Sequence, residues 1–191
     1  NKEVDRMQRI VIEKEFEHMG YRCVTTLNYM GVRCGYVGIP KTNTLYNKSG
    51  RDYLEIKKAD IEDREISGVF QLLSCCLDED ERVPIDAYFQ VHGGITYASS
   101  GENVHFTDEN DLWWFGFDCD HCDDRKDFAA VDATWDMTAK NKLEKELIKA
   151  AKVMRRLDKL HPIGEIRTVD YVMDQCKLLA EQLKEFEYNI M

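Results

Sequence analysis

The segment Trp113-Trp114-Phe115-Gly116-Phe117-Asp118-Cys119-Asp120-His121-Cys122-Asp123-Asp124 joins an apolar, strand-like run to a dense group of metal-ligand side chains. Upstream, Val91-His92-Gly93-Gly94-Ile95-Thr96-Tyr97 carries a histidine beside a glycine pair. Carboxylate oxygen and imidazole nitrogen are ordinary zinc ligands, and thiolates favour zinc strongly. Asp118, His121 and Asp124 recur every third position, a spacing that brings side chains round one centre on an irregular turn. Cys119 or Cys122 could add a thiolate, and His92 a ligand from a neighbouring strand. Gly93-Gly94 would let that backbone approach closely. The expected site is therefore His92, Asp118, Cys119, His121 and Asp124 around Zn2+ or another divalent metal. Such a mixed site is structural if closed and catalytic if it keeps an open position.

Other readings stand beside it. Four acidic residues within seven positions repel one another unless something positive lies between them, and a cation does that directly. Arg125 and Lys126 offer a simpler neutralisation, in which case the segment is a solvated acidic loop. Cys119-x-x-Cys122 is half of a zinc knuckle, but no second such pair exists in the chain. Its acidic neighbours would raise thiol pKa values, which opposes redox chemistry. No GxSxG, phosphate-cradling glycine loop or HExxH is present. His18, His105 and His161 read as surface or capping residues, and Cys176 as core.

The elements that must position these residues follow from periodicity. Residues 3–19 read as a helix stopped at Gly20. Tyr21–Asn28 and Val32–Ile39 read as a hairpin turning at Gly31 and ending at Pro40. Residues 41–65 read as a long loop. Val69–Leu77 is too short an apolar run to decide between strand and helix, and Asp78–Glu81 reads as a solvated turn. Ile85–Tyr97 reads as a strand broken at Gly93-Gly94, residues 98–111 as a polar connection, and Leu112–Phe117 as a further strand. From Thr138, Leu143, Leu147, Ala151, Met154 and Leu157 mark a helix that breaks at His161-Pro162-Ile163-Gly164. Thr168 caps a last helix whose narrow apolar face is Val172, Cys176, Leu179, Leu183 and Phe186. The fold class is α+β: a mostly antiparallel sheet flanked by an N-terminal helix and two C-terminal helices. It forms one domain over residues 1–191, with a helical part over 138–191.

The chain has 191 residues, 43% of them hydrophobic, enough for a packed core. Its 36 acidic and 26 basic side chains leave a formal net charge of −10, which opposes direct nucleic-acid binding. The same balance suits docking on a basic surface of another protein, or simple solubility. No apolar run is long enough for a membrane span, and the polar, acidic Asn1–Asp5 does not read as a signal peptide. Seven cysteines without such a signal suggest reduced thiols rather than a disulfide framework.

Four blocks together resemble a family of small phage and prophage proteins. They are Arg33-Cys34-Gly35-Tyr36-Val37-Gly38-Ile39-Pro40, Val91–Tyr97, Trp114–Asp124 and Tyr171-Val172 with Cys176, Leu179-Ala180 and Gln182-Leu183. The likeness runs in order from the first hairpin to the last helix. It implies that His92, Asp118, His121 and Asp124 form a unit. The chain departs from the family pattern at Cys122, where small residues are usual, and in its long charged helix from Thr138 to Leu160. The resemblance implies no enzymatic activity. It implies a metal-binding anti-CRISPR protein that inhibits a type II Cas9 nuclease in the cytoplasm of a host bacterium. Acidic surface would occupy a basic groove of that nuclease and block DNA engagement, with the zinc structural. The alternative is a metal-dependent hydrolase of a phosphate ester or nucleotide.

Overall fold

The computed structural model describes residues 10–57, 82–101, 111–135 and 142–190. The fold is α+β. Five antiparallel strands form the main sheet: Ile10–His18 (β1), Tyr21–Asn28 (β2), Arg33–Pro40 (β3), Tyr97–Ser100 (β6) and Leu112–Asp118 (β7). Their order is β1-β2-β3-β7-β6. Tyr53–Lys57 (β4) and Arg82–Pro84 (β5) pair separately. Asp124–Arg125 (β8) and Glu165–Ile166 (β9) form a short parallel pair. The helices are Ile85–Tyr88 (α1), Phe128–Thr134 (α2), Lys142–Leu160 (α3) and Val169–Ile190 (α4).

The pleat sorts the side chains of the sheet. Cys23, Val37, Ile39, Phe115 and Phe117 point into one core, while Val24 and Trp114 pack on the opposite face. Helix α4 covers the first face. Val172, Cys176, Leu179 and Leu183 are fully buried and Phe186 nearly so, as the alternating steps of four and three require. Thr168 begins this helix by accepting the Tyr171 N–H at 3.2 Å. Close packing depends on Gly35: a Cβ there would lie 2.3 Å from the Phe117 ring and 2.6 Å from the Cys176 sulfur. Each large side chain on this stripe contributes roughly 1.5–3 kcal/mol through burial.

The expected N-terminal helix is corrected: Ile10–His18 is a strand paired with β2, and residues 3–9 lie outside the described residues. A bulge explains the misreading. Ile12 faces Thr26 and Lys14 faces Thr25, so Glu13 is an extra residue and the apolar alternation slips by one. The β-branched run Ile10-Val11-Ile12 favours the strand. The expected strand over Ile85–Tyr97 is also corrected. Ile85–Tyr88 is one helical turn, and only Tyr97 belongs to a strand. The loop expected over 41–65 contains β4, and the connection expected over 98–111 begins with strand residues. Val69–Leu77, Asp78–Glu81, His105 and Thr138 lie outside the described residues. Among the described residues, no helix is long and apolar enough to cross a membrane.

Buried Arg33 joins four parts of the chain. It donates to both oxygens of Glu13, at 2.7 and 3.0 Å, and to Asp127 at 2.8 Å. It also donates to the Arg167 carbonyl at 2.9 Å. Asp127 in turn caps α2 by accepting the Ala130 N–H. The strand register is thereby tied to the segment that carries Arg167 and to the start of α2.

Candidate metal centre

Three of the expected ligands converge. One ligand atom from each of His92, His121 and Asp124 lies within 4.8 Å of the other two, and the group could hold a metal ion. His92 Nε2 is 2.7 Å from Asp124 Oδ2, and His121 Nδ1 is 3.2 Å from the same oxygen. A tetrahedral zinc with bonds of about 2.0–2.1 Å sets its ligand atoms about 3.3 Å apart, so the two spacings to Asp124 need only modest widening. The imidazoles meet edge to face, with ring centres 5.3 Å apart.

Each ligand is held by a different part of the fold. His92 precedes a turn, and its N–H donates to the Gln175 side chain on α4 at 2.8 Å. The other nitrogen of its ring, Nδ1, is 2.9 Å from the Tyr171 hydroxyl, also on α4. His121 lies on the turn after β7, where Asp124 Oδ2 accepts its backbone N–H at 3.0 Å. Asp124 belongs to β8, and β9 brings Arg167 against it: Oδ1 accepts from Arg167 Nε at 2.8 Å. Gly93 lets the two loops meet. Its φ is +66°, and a Cβ there would lie 1.9 Å from His121 Cε1.

The electrostatics centre on Asp124, whose side chain is 1% exposed. Burial alone would favour the neutral acid. Hydrogen bonds from Arg167, His92 and the His121 N–H outweigh it and hold the carboxyl well below the usual carboxylate range. The site thus presents a buried, ionised oxygen between two imidazole nitrogens. In the metal-free state those nitrogens can donate hydrogen bonds to the Asp124 carboxylate, and a metal would take the place of the bridging hydrogens.

The other two expected ligands are placed apart from this group. Asp118 shares the pleat direction of Trp114 and Gly116, and its carboxylate accepts from Thr96 Oγ1 at 2.7 Å. Cys119 is buried in the core beneath α4, with its N–H donating to the Arg33 carbonyl. Burial, then the charge of Asp124, pushes its thiol up to about 12. Cys122 is exposed. Three carboxylates of the acidic segment have separate partners: Asp120 meets Lys126, Asp118 accepts from Thr96 and Asp124 meets Arg167, while Arg125 pairs outside the segment, with Asp158 of α3. Of the two cations expected as neutralisers, Lys126 serves the rim, and Asp124 is the carboxylate that joins the histidines.

Tyr171, Gln175 and Arg167 had no role in the residue-by-residue reading of the site. Their trace in the sequence is slight. Tyr171 and Gln175 are one helical turn apart beside the apolar stripe of α4, and Arg167 immediately precedes the cap Thr168. In comparisons with known proteins, no family model, no curated protein and no solved structure matches the chain.

Proposed function

We propose that the protein is a zinc protein whose His92, His121 and Asp124 form a three-ligand centre with a coordination position facing solvent. The activity proposed for it is metal-assisted hydrolysis of a phosphate ester or nucleotide. The observation that carries this reading is the convergence of two imidazoles and a buried carboxylate where the His121 side chain is 39% exposed. A closed structural site spends four protein ligands, whereas a catalytic one keeps three and leaves room for water or substrate. Zinc in such a site supplies Lewis acidity and lowers the pKa of water toward neutrality. The chain's own residues do the rest. Arg167 keeps the buried carboxylate ionised, and Tyr171 and Gln175 hold His92 in place.

Two measurements test this reading. The first is metal content after purification and after chelation, compared among the native protein, His92→Ala and His121→Ala. The expected result is one zinc per chain, lost in both variants. The second is hydrolysis of bis(p-nitrophenyl) phosphate and a nucleotide panel by the zinc-loaded protein. Absence of stoichiometric metal would overturn the site, and a loaded site without turnover would overturn the hydrolase.

Inhibition of a type II Cas9 nuclease is the second proposal. The resemblance to phage proteins and the net charge of −10 support it. In that case the metal steadies the turn at His121, and acidic surface meets a basic groove of the nuclease. Target-DNA cleavage by guide-loaded Cas9 orthologues, with and without the protein, decides it. Undiminished cleavage across the orthologues removes the proposal.

A further inference from the structure

Helix α3 presents three distinct surfaces. Ile148 and Ala151 are buried. The same side is anchored by Arg155 to Asp132 at 2.7 Å, and by Arg125 to Asp158. The outer side carries Ala150, Val153, Leu157 and Leu160, in steps of three, four and three. Val153 is 59% exposed, Leu157 52% and Leu160 62%. That spacing is the seam of a coiled coil, in which each apolar residue inserts between side chains of a facing helix. Met154 borders the seam. Together with Leu157, Ile163 and Phe128 it also lines a cavity of about 210 Å³ that extends the apolar surface beyond the helix.

Beside the seam runs a second row: Lys145, Lys149, Lys152, Arg156 and Lys159, all exposed and spaced by four, three, four and three. Among the described residues, only Lys149 in this row is paired with an acid, its neighbour Glu146. The helix holds seven basic and three acidic residues, in a chain whose net charge is −10. Positive charge is thus concentrated along a helix that leaves an apolar seam uncovered.

We infer that α3 is a docking site for an amphipathic helix of another protein, one whose apolar seam is flanked by glutamate or aspartate. Charge complementarity selects this occupant. Acidic flanks would neutralise the basic row, whereas a second copy of the chain would bring more positive charge to it. A lipid surface fits less well. The exposed apolar strip is one narrow row, and the helix has no aromatic residue to seat at a membrane interface.

The probe is a synthetic three-heptad peptide with leucine in its seam and glutamate at its flanks, followed by fluorescence anisotropy. Binding to the native protein is expected, weakening with salt, and falling at least tenfold in Val153→Glu and in Leu157→Glu. Both positions are solvent-exposed, so the far-ultraviolet circular dichroism of the variants is expected to match that of the native protein. Lys149→Glu with Arg156→Glu should reject the acidic peptide and accept one flanked by lysine. No binding by the native protein, or equal binding by the seam variants, would overturn the inference. So would self-association in sedimentation that Leu157→Glu abolishes, or capture by phosphatidylserine vesicles in place of the peptide.

Discussion

The Tyr171 hydroxyl lies 2.9 Å from Nδ1 of His92, on the side of the ring away from Asp124. A hydroxyl both donates and accepts, so it suits either tautomer of that ring. With Nε2–H donating to Asp124, Tyr171 donates to Nδ1. With Nε2 on a metal, Nδ1 carries the proton and Tyr171 accepts it. The residue therefore orients the imidazole whether or not a metal is bound.

Tyr171→Phe should consequently lower zinc affinity about 10-fold or more, the range typical for partners of metal ligands. Competition against a chromophoric chelator measures this. The melting temperature of the metal-free protein should change little by comparison. Unchanged zinc affinity would mean that packing alone orients His92.

Gly93→Ala tests the approach of the two loops. The substitution forces a left-handed φ of +66° on a residue with a side chain and places a Cβ against the His121 ring. The backbone cost alone is about 1–2 kcal/mol. The expected outcome is a lower urea midpoint together with loss of metal binding. A variant that keeps both would show that His121 does not pack on Gly93.

Acid should weaken the metal-free protein through Asp124 and Asp127. Burial opposes the charge of each. Arg167 and His92 at Asp124, with the Ala130 N–H and Arg33 at Asp127, nevertheless hold both carboxyls below their ordinary value. A carboxyl held low in the folded state contributes stability that is fully present above its unfolded pKa. That stability is lost as pH falls through the folded pKa. Urea midpoints should be flat near neutrality and fall below about pH 4, the ordinary aspartate range. In Arg33→Met the Asp127 part of this dependence should shrink, with a loss of roughly 3–5 kcal/mol at neutral pH from stranded Glu13 and Asp127. An Arg33→Met variant as stable as the native protein would contradict this account.

Thiol reactivity should follow burial. Cys122 is exposed, whereas Cys23, Cys119 and Cys176 are buried. Burial pushes the Cys23 and Cys119 thiols up to about 12 and that of half-buried Cys34 up to about 11. Among these five, iodoacetamide at pH 8 should modify Cys122 first and the buried three only after denaturation. Peptide mapping by mass spectrometry reads the order. Early labelling of Cys119 would contradict its placement in the core.

Where local pattern and global packing agree, the chain was legible directly. The apolar run Leu112–Phe117, the hairpin turning at Gly31 and the stripe from Val172 to Phe186 are read from local pattern and turn residues. The α+β class follows from them. The chemistry of His92, His121 and Asp124 was legible as residue type and spacing. Which candidates meet was not. Asp118 and Asp124 look equivalent in the sequence, yet the pleat sends Asp118 toward Thr96, while the β8–β9 pairing sets Asp124 beside Arg167. The strand at Ile10–His18 was hidden because the bulge at Glu13 slips its alternation into a helix-like spacing. Tyr171 and Gln175 reach the site because α4 lies across the sheet and passes the turn at His92, more than 70 residues away in sequence, and Arg167 reaches it through the β8–β9 pairing, 43 residues from Asp124. Contacts of that range leave no periodic trace in a single chain, and folding alone brings them together.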